Sequence, residues 1–207
     1  ERVERVLNMR NGESRLDTPD DLARTGIFDD EFRAIFEPKW RLLVIGAGQL
    51  SAFVTRFADT LGYEVVVCDP RENYRQSWLA DDITLHSDMP DDFISAQQCD
   101  AQTGVVALTH DPKLDDLAIM DALDSSAFYV GALGSSRTNG ARRERLREHF
   151  DISEERLAFM SGPIGLDLNT RTASEIALAI MTEITARRNG VELSSKRLKI
   201  REDDRTS

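Results

Sequence analysis

The sequence contains little of what marks a metal site, a disulfide framework or a membrane span. Among 207 residues only two are cysteine, Cys68 and Cys99, and three are histidine. The cysteines are far apart and show neither CxxC nor Cys–His spacing, so we expect no metal site and no disulfide framework, as in a protein of the reducing cytoplasm. No apolar stretch approaches the roughly 20 residues that a bilayer span requires, and no membrane association is expected.

Clustered positive charge is also lacking. The formal net charge is −11 at pH 7, which argues against a sequence-independent binder of nucleic acid because phosphate backbones need grouped Lys and Arg. It leaves room for a phosphate pocket, since local dipoles and a few arginines can hold phosphate inside an acidic protein. The hydrophobic content of 41% and the charged content of 30% are those of an ordered globular protein. The chain opens on Glu1 rather than Met, which favours a fragment of a longer protein.

Apolar runs and helical periodicities alternate along most of the chain. The predicted strands lie at residues 40–45, 63–68, 83–85, 104–108, 127–131 and 158–160. The predicted helices lie at residues 50–61, 91–96, 113–123, 138–150, 153–157 and 173–188. This alternation with short connections predicts an α/β fold with a doubly wound, mostly parallel sheet of Rossmann type. We expect a small N-terminal appendage over residues 1–38, a Rossmann-like cofactor-binding domain over 39–190 and a polar tail over 191–207.

Three glycine-bearing turns follow predicted strands, at residues 46–51, 131–137 and 162–167. A helix that begins at such a turn presents backbone N–H groups and the positive end of its dipole, both of which favour phosphate. In doubly wound sheets ligands bind beyond the carboxyl ends of the strands, where these turns fall. The sequence therefore predicts a site for a phosphorylated ligand, a nucleotide or a cofactor like one.

The first turn approximates the dinucleotide fingerprint GxGxxG, with Ser51 at the third glycine position. Gly46 would allow the tight turn, and Gly48 would let the backbone approach a pyrophosphate. Asp69 lies 21 residues past Gly48 at the end of the next strand, where an acid commonly accepts hydrogen bonds from a ribose. It would favour NAD, whereas Arg71 could meet the 2′-phosphate of NADP, so the choice stays open. The alternatives are a capping role for Asp69 in its Asp-Pro turn and a flavodoxin-like sheet whose glycines serve helix packing.

The segment Thr109-His110-Asp111-Pro112 offers three polar side chains at another strand end. His110 could act as an acid or base, or could hydrogen-bond a ligand. Asp111 is the second candidate for proton transfer, but it could equally cap the following helix, with Pro112 in the first turn. No nucleophile–base pair can be assembled from the sequence, so no catalytic residue is assigned beyond these two candidates.

The second turn carries a further set of phosphate-binding groups. Gly134, Ser135 and Arg137 place N–H groups, a hydroxyl and a guanidinium at the start of a predicted helix. The run at residues 142–145 that follows is interpreted as a solvated helix face, with charges offset at helical spacing.

Taken together, these segments resemble the C-terminal Rossmann domain of the XdhC/CoxI family, the xanthine dehydrogenase accessory factors, from about Phe36 to Gly190. The resemblance rests on Gly46-Ala47-Gly48, Asp69-Pro70-Arg71, Leu108-Thr109-His110-Asp111, the run from Tyr129 to Arg137, and the run from Gly162 to Leu168. It implies a cytoplasmic accessory protein that binds the pterin molybdenum cofactor (molybdopterin) and protects and delivers it. The implied partners are a molybdenum hydroxylase apoenzyme and a cysteine desulfurase.

We expect the cofactor to contact Gly46, Gly48, Gln49, Asp69, Arg71, Thr109, His110, Gly134, Ser135, Arg137 and Gly165. The first alternative is an NAD(P)-dependent oxidoreductase that uses His110 or Asp111 in proton transfer. The second is a nucleotide-sensing regulatory domain. A homodimer through the Arg-rich helix or the final apolar helix face is a further expectation, although core packing explains that face equally well.

The sequence departs from the family pattern in two places. Long family members carry an upstream domain with its own cysteine-bearing segment, and residues 1–36 resemble only the tail of that domain. Family members commonly have His and a small residue after the first Gly-Ala-Gly, whereas this chain has Gln49-Leu50-Ser51. Without the upstream cysteine, cofactor handling does not follow for this chain from the resemblance alone.

Overall fold

The computed structural model describes residues 2–20, 23–78, 80 and 82–191. The chain divides into two compact units, Glu1–Lys39 and Trp40–Ser207. The expected polar tail lies outside the described residues from position 192 onward. Within the described residues, no helix is both long enough and apolar enough to cross a membrane.

The first unit is a four-stranded antiparallel sheet. Its strands are β1 (Val3–Asn8), β2 (Ser14–Asp17), β3 (Gly26–Phe28) and β4 (Glu31–Phe36), in the order β2-β1-β4-β3. The sequence predicts an appendage here but none of its strands. In β1, Glu4 and Val6 are buried while Arg5 between them is exposed, which is the alternation of a sheet with two different faces. Because a glutamate occupies one of the buried positions, hydrophobicity alone does not reveal this strand.

The second unit contains a five-stranded parallel sheet. Its strands are β5 (Arg41–Ile45), β6 (Glu64–Cys68), β7 (Thr84–His86), β8 (Thr103–Ala107) and β9 (Tyr129–Ala132), in the order β7-β6-β5-β8-β9. This is the predicted Rossmann-type arrangement. The strand order reverses between β5 and β8, so the loops that follow these two strands flank the crevice where such sheets bind ligands.

The helices of this unit cover both faces of the sheet. They are α1 (Gln49–Thr60), α2 (Glu72–Gln76), α3 (Pro90–Gln97), α4 (Pro112–Asp124), α5 (Ser136–Phe150), α6 (Glu154–Phe159) and α7 (Ala173–Arg188). The predicted strand at 158–160 is wrong. Residues 158 and 159 end α6, and Ser161 just beyond it forms an isolated parallel bridge to Gly131 in β9.

The central strand β5 shows why its sequence is apolar throughout. Leu43 and Ile45 belong to the core that includes residues of α3 and α4. Leu42 and Val44 belong to the core on the other side, which includes residues of α1 and α7. All four side chains are completely buried. A strand covered on both faces needs a continuous apolar run, and this burial fixes the position of the turn that follows it.

Candidate functional site

Helix α1 begins at the reversal of strand order, and within the part of the chain that the structure describes no side chain caps its first amides. Its N-cap is Gly48, which has no side chain to accept a hydrogen bond, and no acidic residue lies in the first turn. The helices α4, α5 and α7 instead carry side-chain caps, from Asp111, Ser135 and Thr172. Among the helices that the structure describes, α1 alone has neither a side-chain cap nor a first-turn acid. Its N–H groups and dipole are therefore available to an anion.

The two glycines of the first turn have different roles. Gly46 has a φ of +110°, and a Cβ there would lie 3.1 Å from backbone atoms of Leu108 and Thr109. It lets the loops after β5 and β8 come together. A Cβ at Gly48 would meet only the Tyr74 ring, at 4.0 Å. Gly48 thus leaves open space in front of the α1 amides.

An aromatic-lined groove of about 340 Å³ adjoins this turn. It is lined by Gly48, Gln49, Phe53, Arg56, Tyr74 and Trp78, among others. The expected contact residue Gln49 is exposed there. Helix α2, which contains Tyr74, was missed at the level of the sequence, and so was Trp78, which lies just beyond the end of that helix. Two aromatic residues four positions apart in the segment after Asp69 were the signal. The groove has the volume and the aromatic side chains to bind a planar heterocycle. It lies next to the N-terminus of α1, whose amides can bind an anion.

Asp69 holds the first turn in place. It is completely buried. Its Oδ2 accepts from the Ala47 N–H at 2.8 Å and from Arg71 Nη2 at 2.8 Å, and its Oδ1 accepts from the Arg71 N–H and Nε at 3.0 and 2.9 Å. Burial raises the pKa of this carboxyl, but hydrogen bonds from Arg71 and Ala47 outweigh it and lower the pKa overall. A carboxylate has about four acceptor positions. All are filled, so the geometry does not support the expected contact between Asp69 and a ribose.

Arg71 is likewise committed within the protein. Besides Asp69, its Nη1 donates to the Thr109 carbonyl at 3.2 Å, and its guanidinium lies 3.8 Å from the centre of the Tyr74 ring. The side chain is 23% exposed. The expected role with a 2′-phosphate is not supported, because the charge of Arg71 is already paired. Arg71 instead ties the loop after β6 to the loop after β8.

The loop after β8 separates its polar residues into buried and exposed ones. Thr109 is 3% exposed, and its hydroxyl donates to Asp115 Oδ1 at 2.6 Å and accepts from the Asp111 N–H at 3.0 Å. The expected ligand contact of Thr109 is thus not supported. Asp111 accepts from the Lys113 N–H at 2.9 Å as the N-cap of α4, with Pro112 in its first turn, so the capping interpretation is confirmed.

His110 is the residue of this loop that faces solvent. Its φ of +61° is uncommon for a residue with a side chain. The side chain is exposed, and within the described residues no hydrogen bond or ion pair involves it. The backbone is held in this conformation by Thr109 and Asp111 on either side. An unpaired imidazole therefore stands beside the reversal of strand order, where it can meet a ligand.

In the second turn the Arg137 side chain is exposed to solvent, whereas the Ser135 hydroxyl is hydrogen-bonded within the protein. Gly134 has a φ of +133°. Ser135 Oγ accepts from the Thr138 N–H at 3.1 Å and caps α5. Arg137 is exposed. Among the described residues the Arg137 guanidinium has no hydrogen-bond or ion-pair partner, so it can reach a ligand, while the Ser135 hydroxyl already has a partner.

The third turn packs against α7 rather than facing a ligand. Gly165 is buried with a φ of +88°, and a Cβ there would lie 3.1 Å from the Ile180 backbone nitrogen. Its N–H donates to the buried Glu183, which also accepts from Ser161 Oγ. The expected ligand contact of Gly165 is not supported, because its surroundings are the α7 backbone.

The interpretation of residues 142–145 as a solvated helix face is wrong for the first two positions. Arg142 is 1% exposed and is the largest fully buried side chain among the described residues. Arg143 donates to the carbonyls of Met160 and Gly162 at 3.0 and 3.2 Å. The carboxylate partners of Arg142 and the carbonyl partners of Arg143 lie on segments distant in sequence, so helical charge spacing could not reveal them.

Comparison with known proteins agrees with this architecture. A family model described as the XdhC Rossmann domain matches residues 42–184. The chain belongs to this family. Within the XdhC Rossmann domain, the matched region runs from β5 through most of α7 and so includes all three glycine turns.

Individual relatives are distant and longer. The molybdenum cofactor insertion chaperone PaoD of Escherichia coli K12 is 27% identical over 165 residues, covering 79% of this chain and 45% of PaoD. A probable xanthine dehydrogenase subunit of Bacillus subtilis 168 is 29% identical over 158 residues, covering 75% of this chain and 45% of that protein. The chain thus spans less than half the length of these curated relatives.

A solved structure shares the fold. A crystal structure described as a xanthine dehydrogenase from Bacillus halodurans superposes with a TM-score of 0.69 at 22% identity, covering 94% of this chain and 62% of that one. At this identity the likeness concerns the fold alone.

Proposed function

We propose that this chain binds the pterin molybdenum cofactor as cargo and serves as an accessory factor in its delivery to a molybdenum hydroxylase of the xanthine dehydrogenase type. The observation that carries the proposal is the uncapped start of α1, with open space at Gly48 beside an aromatic groove. The name of the relative PaoD supplies the identity of the cargo.

The residues present fit an anionic, planar ligand. The first-turn amides of α1, at Gln49 and Leu50, would receive the phosphate of the cofactor. Tyr74 and Trp78 would lie against its pterin ring, since flat heterocycles pack on aromatic side chains. The bound cofactor supplies the molybdenum that the client enzyme uses in its own redox reaction. This chain would contribute binding and exclusion of water rather than turnover.

Two exposed side chains would complete the site. The His110 imidazole lies on the loop after β8, and the Arg137 guanidinium lies at the start of α5. Each can donate a hydrogen bond to an anion, and the second is always charged. We propose both as contacts of the cargo, together with Gly46 and Gly134 as the glycines that shape their loops. Neither His110 nor Asp111 is proposed as a catalytic residue.

The Rossmann strand order keeps an NAD(P)-dependent oxidoreductase as a second candidate. Against it stands Asp69, whose acceptor positions are filled by Ala47 and Arg71. A nicotinamide cofactor would find no acceptor for its ribose in this carboxylate. Calorimetric titration with NADH and NADPH at millimolar concentration should therefore give no binding heat, and saturable heat would favour the oxidoreductase.

The test of the leading proposal uses Gly48→Val. A side chain at Gly48 has room in the protein but would fill the approach to the α1 amides. Gly140→Val is the matched control, because Gly140 is an exposed position of α5 where an added Cβ would meet nothing within 4 Å. Losing glycine as N-cap costs only about 1 kcal/mol, so both variants should fold.

Each protein is mixed anaerobically with cofactor released from a molybdoenzyme and passed through gel filtration. The retained pterin is then measured by its fluorescence after oxidation. We expect retention by the wild type and by Gly140→Val, and about tenfold weaker binding by Gly48→Val, the equivalent of about 1.4 kcal/mol. Equal retention by the two variants, or none by the wild type, would contradict the proposal.

The wider partners follow from the same proposal. We infer that the client is a molybdenum hydroxylase, as the names of the two curated relatives suggest for those proteins. Contact with a cysteine desulfurase and formation of a homodimer stay predictions. Pull-down with purified desulfurase and sedimentation velocity of the chain alone are the respective tests.

A further inference from the structure

Arg142 of α5 is a buried cation with partners on three segments. Its Nε donates to Asp116 Oδ1 at 2.9 Å and its Nη2 to Asp115 Oδ2 at 3.1 Å. Its Nη1 donates to the Leu133 carbonyl at 3.1 Å and to Asn139 Oδ1 at 2.6 Å. Four of the five N–H groups of the guanidinium are thus used, in the fixed fork that only arginine provides.

One branch of this network leads to the loop that carries His110. The Oδ1 atom of Asp115 accepts from the Thr109 N–H at 3.1 Å and from its hydroxyl at 2.6 Å. Because Arg142 holds the other oxygen of Asp115, the carboxylate cannot rotate away from Thr109. The residue after Thr109 is His110, whose φ of +61° requires its neighbours to be fixed.

The other branch leads to the second glycine turn. Asn139 is completely buried, and its Nδ2 donates to the carbonyls of Gly134 and Ser135 at 3.0 and 3.2 Å. Arg142 orients this amide by donating to its Oδ1, and it holds the Leu133 carbonyl directly. The Arg142 guanidinium therefore also fixes the turn that carries Arg137, through Asn139 and the Leu133 carbonyl.

We infer that Arg142 is a positioning residue that sets the loop after β8 and the turn after β9 at a fixed distance from each other. The inference rests on the proposed function in one respect only, namely that these two loops meet the cargo. Arg142 itself is buried, with 1% exposure. An apolar side chain could fill its volume, but the Leu133 carbonyl, Asn139 Oδ1 and Asp115 Oδ2 would lose the hydrogen bonds that Arg142 donates.

The test compares Arg142→Lys with Arg145→Lys in the ligand-free protein. Arg145 lies on the same helix and pairs with Asp116 through a side chain that is 37% exposed, so the same change there serves as control. Hydrogen exchange is followed in peptides that cover residues 108–111 and 133–137, with the amides of β5 as internal reference. We expect about tenfold faster exchange in both loops for Arg142→Lys, unchanged exchange in β5, and no change for Arg145→Lys.

Uniformly faster exchange across loops and β5 would overturn the inference, since it would mean general destabilisation. So would unchanged exchange in the loops. If Arg142→Lys fails to fold, Thr109→Val and Thr109→Ser test the first branch from its far end. The valine variant should speed exchange at 108–111, and the serine variant, which keeps the hydroxyl, should restore it. Equal behaviour of the two would overturn the inference.

A cofactor-binding arm separates this inference from the proposed function. If the wild type retains the pterin cofactor, Arg142→Lys should weaken retention by about tenfold, whereas Arg145→Lys should not. If the wild type does not retain it, the proposed function fails, and the exchange experiment still decides whether Arg142 positions the two loops.

Discussion

Replacing Asp69 by asparagine distinguishes a residue that holds the fold from one that holds a ligand. The carboxylate accepts four hydrogen bonds from Ala47 and Arg71 and is completely buried. Asparagine keeps the shape but carries an NH₂ group where one oxygen accepted donors. At least one N–H of Ala47 or Arg71 then faces another donor, and the Arg71 charge loses its partner.

The magnitude follows from the burial of the two partners. Breaking a fully buried ion pair costs about 3–5 kcal/mol. Arg71 is 23% exposed and can be partly rehydrated, so we expect a loss of about 2–3 kcal/mol in the free energy of unfolding. For a unit of this size 1 kcal/mol shifts Tm by about 2–4 °C, which gives a fall of roughly 4–12 °C.

The pH dependence gives a second readout for the same variant. The folded protein lowers the pKa of Asp69, so its contribution is complete above the unfolded pKa of about 3.9 and is lost as pH falls through the folded pKa. The difference in unfolding free energy between wild type and Asp69→Asn should therefore be constant at neutral pH and shrink below about pH 4.

Thermal unfolding followed by far-ultraviolet circular dichroism measures both effects, with the exposed Asp59→Asn as control. A Tm of Asp69→Asn equal to that of the control would refute the reasoning. If Asp69→Asn kept the stability of the wild type but lost binding of NADH, Asp69 would instead be a hydrogen-bond acceptor for the ribose.

Three further changes probe other parts of the unit. The buried Ser51 hydroxyl has no hydrogen-bond partner among the described residues, so Ser51→Ala should raise the free energy of unfolding in urea by about 1 kcal/mol, and a decrease would count against this expectation. Burial, together with the nearby carboxylates of Asp88 and Asp69, raises the pKa of the Cys68 thiol to about 12. Iodoacetamide should therefore leave this thiol unlabelled at neutral pH until the protein unfolds, as measured by mass spectrometry. Rapid labelling of the folded protein would contradict this expectation. Thr172 forms a capping box at the start of α7, and Thr172→Ala should cost about 1 kcal/mol in the same urea assay, with an unchanged midpoint as the opposing result.

The fold of the second unit was predictable because its signals are local. The helix predicted at 173–188 has the bounds of α7, since Thr172 and Glu175 cap its start and Gly190, just beyond its end, has a φ of +68°. The parallel strands were predicted from apolar runs that only two-sided burial explains. The strands of the first unit were missed because their alternation is interrupted by charge, as at the buried Glu4.

The site was predicted less completely because its contacts are not local. Asp69 lies where the fingerprint puts a ribose acid, yet its hydrogen bonds come from Ala47 and Arg71, which no spacing rule specifies. Arg142 looks like a surface charge from its own helix. Its burial depends on Asp115 and Asp116 of α4, which only the tertiary structure brings to it.

The central claim is that the start of α1 receives the anionic part of the pterin cofactor. Amide chemical shifts of uniformly ¹⁵N-labelled protein, recorded during anaerobic titration with the cofactor, test it most directly. We predict the largest changes at Gly48, Gln49 and Leu50, with smaller ones at His110. Saturable binding that leaves the amides at the start of α1 unshifted would contradict the account.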